Sequence, residues 1–386
     1  MKKYFIPILL IFLLVRPTVA SEPIRIGLTL GLTGKYAKLG DMQQKGFKLW
    51  ENHINEKGGI LGRQVEVIIY DDESDPVTAQ MLYRKLIKKD GVDLLLGPYS
   101  SGITEAVAPI TEKEKFPLLV SGASADSLWQ KGYRYLFGVY TPASKYAVGF
   151  LELLVMQGFR SVAIVSADDS FSKSVSDGTK KWAERFGLDI LLFERFKKGK
   201  TDLDEFARMA KSSGAEVLIV CGHFNESVNM KESLRRVGWD PKAYFASVGP
   251  VINAFYEKLG EDSERVFSSS QWEFHELSSF PGAKHFYDAF YDIYGVRPSY
   301  HAATAYAAGD ILAAAVEKAK RLVRDDIRDI LSNMDITSVV GRYGVDETGM
   351  QIRHFPVIIQ WQAGKKEIVW PKELRTAEPT FRIAGK

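Results

Sequence analysis

Short apolar runs recur along the chain, and helix-forming stretches separate them. The first series is IRIGLTL (24–30), VEVIIY (65–70), DLLLG (93–97) and FPLLVS (116–121). A second follows: SVAIVS (161–166), DILLFE (189–194) and EVLIVCG (216–222). These runs do not alternate strictly between apolar and polar residues, so they read as strands covered on both faces. Between the first two, residues 40–57 place Phe47, Trp50 and Ile54 at spacings of three and four, the mark of a helix with one apolar face. Gly58-Gly59 ends that helix, and Pro76 opens the next where proline is tolerated. Further helices are expected near 102–113, 171–186, 202–213 and 225–236. Strands and helices alternating at this spacing require parallel sheets with crossover helices. Two such series, about 24–140 and 145–270, make an α/β chain of two doubly wound lobes.

The last third starts no third series. Residues 281–295 and 299–319 read as helices broken at Gly295 and Pro298, the second close-packing through its alanines. FPVIIQW (355–361) and EIVW (367–370) read as a hairpin around Gly364. These elements complete the lobes. The expected division is 21–140 plus about 272–340 for the N-terminal lobe, and 141–271 plus about 341–386 for the C-terminal lobe. The chain then crosses between lobes more than once. Several crossings form a hinge, and a cleft lies between the lobes.

Residues 1–20 have the layout of a secretory signal peptide: Lys2 and Lys3, the apolar block YFIPILLIFLLV (4–15), then Thr18-Val19-Ala20. The block is too short for a membrane span, which takes roughly 20 apolar residues. No cysteine follows it to carry a lipid, so the mature chain is expected free in the periplasm or outside the cell. Removing the segment takes away Lys2, Lys3 and Arg16 and lowers the net charge from +3 to zero. No basic stripe with interleaved aromatics suggests a nucleic-acid partner. The single cysteine, Cys221, excludes an intramolecular disulfide, so stability must come from the core.

GLTLGLTGKYAKLG (27–40) is glycine-rich but matches neither the dinucleotide nor the P-loop spacing. The six histidines include no pair at ligand spacing, and YDDESDP (70–76) lacks the glycine and distal glutamate of a calcium loop. That acidic run is better placed to cap the helix opening at Pro76. No metal and no cofactor is expected.

GPYSSG (97–102) and SGASADS (121–127) both follow apolar strands. Neither is the G-x-S-x-G of a serine hydrolase. Each stands at the strand edge where open α/β sheets bind ligands. A helix starting after Ser100-Ser101 leaves unpaired N–H groups at its positive end. With the Ser101 and Ser124 hydroxyls, these make half of a site for a small carboxylate.

The mature chain resembles the periplasmic solute-binding proteins of branched-chain amino acid ABC transporters, the type I binding fold. The resemblance rests on residues 24–76, with GGILGR and YDDESDP, on LLLGPYSSGITEAVAPI (94–110), on PLLVSGASADSLW (117–129) and on FYDAFYDIYGVRPSYHAATAYAA (286–308). It implies two lobes that close around a ligand, no catalysis, a membrane permease as partner and a monomer. By position, it carries the ligand's carboxylate and amino contacts to Ser101, Gly122 and Ser124, with Tyr99, Ser100 and Ala123 beside them. It adds Leu39 from the turn before the first helix, Phe171, His223 or Phe224 from the second lobe, and Trp272 near a crossover.

One departure concerns the ligand. Relatives commonly hold the ammonium group with a second-lobe acid, and the matching stretch ASVGPV (246–251) has none. Glu226 and Glu273 are substitutes by position only, and Glu226 reads as an exposed helix residue. An amino acid with another ammonium partner, a carboxylate without an amine, and an amide all remain open. Two rival functions also remain: a ligand sensor of the same fold, and a serine hydrolase.

Overall fold

The computed structural model describes residues 21–275 and 280–382. The leader read at 1–20 lies outside them. In the first sheet, β1 (Ile24–Leu30), β2 (Val65–Asp71), β3 (Leu94–Leu96), β4 (Leu118–Val120) and β5 (Leu136–Gly138) run parallel in the order β2-β1-β3-β4-β5. In the second, β6 (Ser161–Ala167), β7 (Asp189–Phe196), β8 (Val217–Cys221), β9 (Ala243–Ala246) and β10 (Val266–Ser270) repeat that order as β7-β6-β8-β9-β10. The central strands are buried along their whole length, as their unbroken apolar runs require. β11 (Ile336–Ser338) and β12 (Gly341–Tyr343) form a small antiparallel ladder. β13 (Val357–Gln362) and β14 (Lys365–Trp370) are the hairpin around Gly364, and they extend the second sheet beyond β10.

Crossover helices cover both sheets: α1 (Ala37–Glu56), α2 (Pro76–Lys85) and α3 (Ser101–Lys113) on the first. α4 (Val148–Met156), α5 (Ser170–Arg185), α6 (Asp204–Ser212), α7 (Phe224–Val237) and α8 (Asn253–Leu259) serve the second. α9 (Ala283–Tyr294), α10 (Tyr300–Ala319) and α11 (Arg324–Asn333) then return to the first lobe. α10 lies hard against α1: a Cβ on Gly46 would come within 2.2 Å of the Ala302 carbonyl oxygen, so the alanine-rich face sets the helix separation. The acidic run before α2 does two jobs. Asp75 caps the helix, accepting from Thr78 N at 2.8 Å. Asp71 and Asp72 instead accept from Leu32 N and the Thr29 hydroxyl and fasten the glycine-rich turn after β1.

Three segments cross between the lobes, near residues 139–142, 271–275 and 352–356, and they are tied together. Thr141 N donates to Gln271 Oε1 at 2.9 Å, Thr141 Oγ1 donates to the His354 carbonyl at 2.8 Å, and His354 Nε2 lies 2.6 Å from the Gln271 carbonyl. The third crossing falls later than the boundary expected near 341. β11–β12 and the turn after them stay on the first lobe, where Tyr343 donates to the Leu331 carbonyl and Gly138 N donates to the Gly349 carbonyl. Their strands are three residues each, too short to leave an apolar run in the sequence.

Candidate ligand-binding site

The five parallel strands of each sheet have the order 2-1-3-4-5, whose switch points lie at the carboxyl ends of β1/β3 and β6/β8. The two lobes turn those ends toward each other. Tyr99, Ser100 and Ser101 follow β3, Gly122 and Ser124 follow β4, and Tyr140 follows β5. Opposite them stand Phe171 after β6, His223 after β8 and Val248 after β9, with Tyr146 and Tyr300 closing the sides. The space left between these side chains is only about 10 Å³, enough for about one water. The lobes are therefore closed on one another, and a ligand enters only when they part.

The first-lobe half is built from hydroxyls and backbone. Ser100 takes φ 87° and ψ 140°, a conformation an L-residue adopts only under constraint. Three bonds impose it: Ser100 N donates to the Gly122 carbonyl, its Oγ accepts from Ile103 N, and its carbonyl accepts from Thr104 N. Gly122 is required by the close approach of the two turns, since a Cβ there would sit 2.8 Å from the Pro98 carbonyl oxygen and the Tyr99 Cα. Ser101 opens α3. Its Oγ accepts from Ser124 N at 3.2 Å and from Ala125 N at 3.0 Å. Both lone-pair positions are thus filled, and the Ser101 O–H remains to donate. The Ser124 hydroxyl lies 3.1 Å from the Tyr146 hydroxyl.

The second-lobe half rests on a buried charge cluster. Lys198 Nζ lies 2.9 Å from Glu226 Oε2, 3.4 Å from Asp169 Oδ2 and 2.8 Å from His223 Nδ1. Two carboxylates share one ammonium, which leaves one negative charge in excess. Burial would raise the Asp169 carboxyl, but His223, Lys198 and the Ser172 hydrogen bonds hold it down at about 2. Burial likewise opposes ionisation of Lys198 and Glu226, but Asp169 and then Glu226 raise the lysine, and Lys198 and then His223 lower the glutamate. Burial first, then Lys198, lowers His223 to about 4. His223 is therefore neutral. Its Nδ1 accepts from Lys198, so Nε2 carries the proton as a fixed donor. The His223 ring packs 4.8 Å from Phe171 and, across the cleft, 5.1 Å from Tyr36.

The structure thus brings Tyr99, Ser100, Ser101, Gly122, Ser124, Phe171 and His223 to one cavity. The remaining candidates stand elsewhere. Leu39, the third residue of α1, is buried in the core and does not line the cavity. Ala123 is buried between its neighbours and does not line the cavity. Phe224, the first residue of α7, does not line the cavity, and Lys38 of the first lobe lies over its ring. Trp272 packs on Phe274 and Phe286 and faces a separate cavity at the hinge. Glu226 is not an exposed helix residue. It is buried, bonding Lys198 and the His223 amide at the start of α7. Glu273 pairs with Lys366. Tyr36, Tyr146, Tyr300, Lys198 and Asp169 were missed. Lys198 sits in the polar run FKKGK, which looks like a solvated turn.

Two lobes of matching topology, three tied crossings and a cavity closed between strand ends define a hinged receptor that encloses a small ligand. Residues 23–366 match the family model described as "Periplasmic binding protein". The chain belongs to that family, which is made of binding proteins rather than enzymes. It is 26% identical over 395 residues to "Leu/Ile/Val-binding protein homolog 7" of Brucella suis, covering 98% of this chain and 99% of that one. A branched-chain amino acid transporter substrate-binding protein from Streptococcus pneumoniae, solved with isoleucine, superposes with TM-score 0.82 at 25% identity, covering 94% of this chain and all of that one. An ABC-transporter solute-binding protein from R. palustris, solved with benzoate, superposes with TM-score 0.81 at 17% identity, covering 90% and 95% of the two chains.

Proposed function

We propose that the chain is the extracytoplasmic receptor of an ABC importer, that it captures an amino acid or related small carboxylate between its lobes, and that it delivers the closed complex to a membrane permease. The observation that carries this reading is the cavity's lining: hydroxyls, backbone and rings, with no charged side chain among them. The ligand's carboxylate takes the Ser101 hydroxyl and the amides at the start of α3, which need no counter-charge. Tyr99, Tyr140 and Phe171 receive its apolar or aromatic part. Closure adds the His223 Nε2–H and excludes water. Ligand then favours the closed form because only that form offers both halves of the site. Export by residues 1–20, a monomeric state and the transport partner belong to the same proposal.

The hydrolase reading has no support in the geometry. Ser101 Oγ meets two amides and Ser124 Oγ meets Tyr146, with no histidine on either among the described residues. A thermal-shift screen against leucine, isoleucine, valine and benzoate tests the receptor reading, since a ligand that binds only the native state raises the melting temperature. At least one compound is expected to do so and to lose most of its effect in Ser101→Ala. A fluorophosphonate probe that labels Ser101 or Ser124 would overturn it.

A further inference from the structure

A second cavity lies at the hinge and shares no lining residue with the cleft. Its volume is about 420 Å³, against about 10 Å³ in the closed cleft. That is within the roughly 300–1,000 Å³ of small-molecule sites. Two crossing segments, Gln271–Glu273 and Arg353–Pro356, form one wall, and Trp370 and Leu374 of the second lobe form another. Phe280 and Phe355 both line it, with 40% and 66% of their surface exposed, and large rings so exposed mark binding surfaces. The polar groups are as specific as the apolar ones. Arg342 meets Asp335 through two bonds of 2.6 and 2.5 Å, and Arg353 reaches the same carboxylate at 3.3 Å. Two guanidinium groups thus share one acid. Glu273, which also lines the cavity, is neutralised by Lys366. At the inner wall Gln271 is buried. Its Oε1 accepts from Thr141 N, and its Nε2 has no hydrogen-bond partner.

We propose that this hinge cavity is a second binding site, for a small amphiphilic anion with an aromatic or aliphatic body. The body covers Phe280, Phe355 and Trp370. The anionic end lies toward Arg353, where positive charge is in excess. The proposal does not depend on what the cleft binds. Its walls come from both lobes and from the segments between them, so occupancy and lobe angle are thermodynamically linked.

The probe that matches this chemistry is 1-anilinonaphthalene-8-sulfonate, with uncharged N-phenyl-1-naphthylamine as its control. Both are titrated by fluorescence into the natively folded full chain, with an unchanged cooperative melt as the check on folding. One bright site per chain is expected. Phe355→Ser should weaken both probes about fivefold through the lost ring contact. Arg353→Gln should weaken the sulfonate about threefold, as for a partly exposed charge pair, and leave the uncharged probe unchanged. Arg342 still holds Asp335 in that variant, so the fold is not at stake. Leu374→Trp, which fills the cavity from a half-buried position, should remove both signals. No bright binding, or binding indifferent to Phe355 and Leu374, would overturn the proposal.

Discussion

The two halves of the cleft reach the same closed site by opposite means. The first-lobe half is neutral: Ser101, the strained Ser100 and the turn at Gly122 offer hydroxyls and amides aligned by backbone. The second-lobe half is held by charge: Lys198, Asp169 and Glu226 lock His223 from behind, and none of the three lines the cavity. A neutral half can accept an anion without giving up the solvation of a charge of its own. A charged half must keep its ions paired at every stage, because an unpaired buried ion is costly. The difference assigns affinity to the first half and rigidity to the second.

Removing the one cation should break that comparison most sharply. Lys198→Met leaves Asp169 and Glu226 with their amide and hydroxyl donors but without a counter-charge, and the loss expected is about 3–5 kcal/mol in urea unfolding. Adding Glu226→Leu to that variant removes the carboxylate nearest the lysine and should recover part of the loss. A loss below about 1 kcal/mol would mean that the cluster is solvated like a surface pair, and the second half would then have no special rigidity.

The same contrast explains what the sequence could and could not tell. The neutral half was legible because its parts are local: a strand end, a serine at a helix start and a glycine turn lie within a few residues of each other. The charged half was not. Asp169, Lys198 and Glu226 come from three separate connections, and each alone looks like a solvated loop or helix residue. Glu226 was misread for that reason. Leu39 and Trp272 were misplaced because resemblance gives a position along the chain but not the direction in which a side chain points. The crossing near 352–356 was misjudged because its neighbours β11 and β12 are too short to carry an apolar pattern.

Acid should separate the halves next. His223 has an ordinary value of 6.5 and a folded value of about 4. Between those limits the unfolded chain takes up a proton that the folded chain refuses. Stability therefore falls as pH drops from 6.5 toward 4, by on the order of 3 kcal/mol for this group. Buried His301 and His354, lowered to about 3 and about 4, add losses of the same sign. Urea unfolding from pH 7 to 4 measures the net of these losses and the opposite contributions of Asp72 and Asp310, which burial raises to about 6, and His223→Phe should flatten the histidine part by about one proton. An unchanged slope in that variant would place His223 in water.

Ser101→Ala tests the neutral half. On the proposed reading it removes the donor to the ligand, and it leaves the Ser124 and Ala125 amides unpaired only while the lobes are closed, since opening returns them to water. The expected result is a loss of about 1–3 kcal/mol in affinity for the best compound from the thermal screen. Calorimetry measures it, with the unliganded melting temperature little changed. A large fall in melting temperature with unchanged affinity would reverse the assignment of roles to the two halves.

The smallest effect should come from the residue that joins the halves. Tyr36 belongs to the first lobe, yet its ring lies 5.1 Å from the His223 ring and 5.9 Å from Lys198 Nζ. Those contacts exist only when the lobes are together, so they favour closure without contributing to either lobe alone. Tyr36→Leu keeps an apolar side chain against Tyr99 and removes the ring facing the cluster. The expected loss is about 0.5–1.5 kcal/mol in ligand affinity, with no change in the unliganded melting temperature. Equal losses in both would show that the ring matters to the first-lobe core. Its place between a neutral site and a charged one would then have no part in holding the cleft shut.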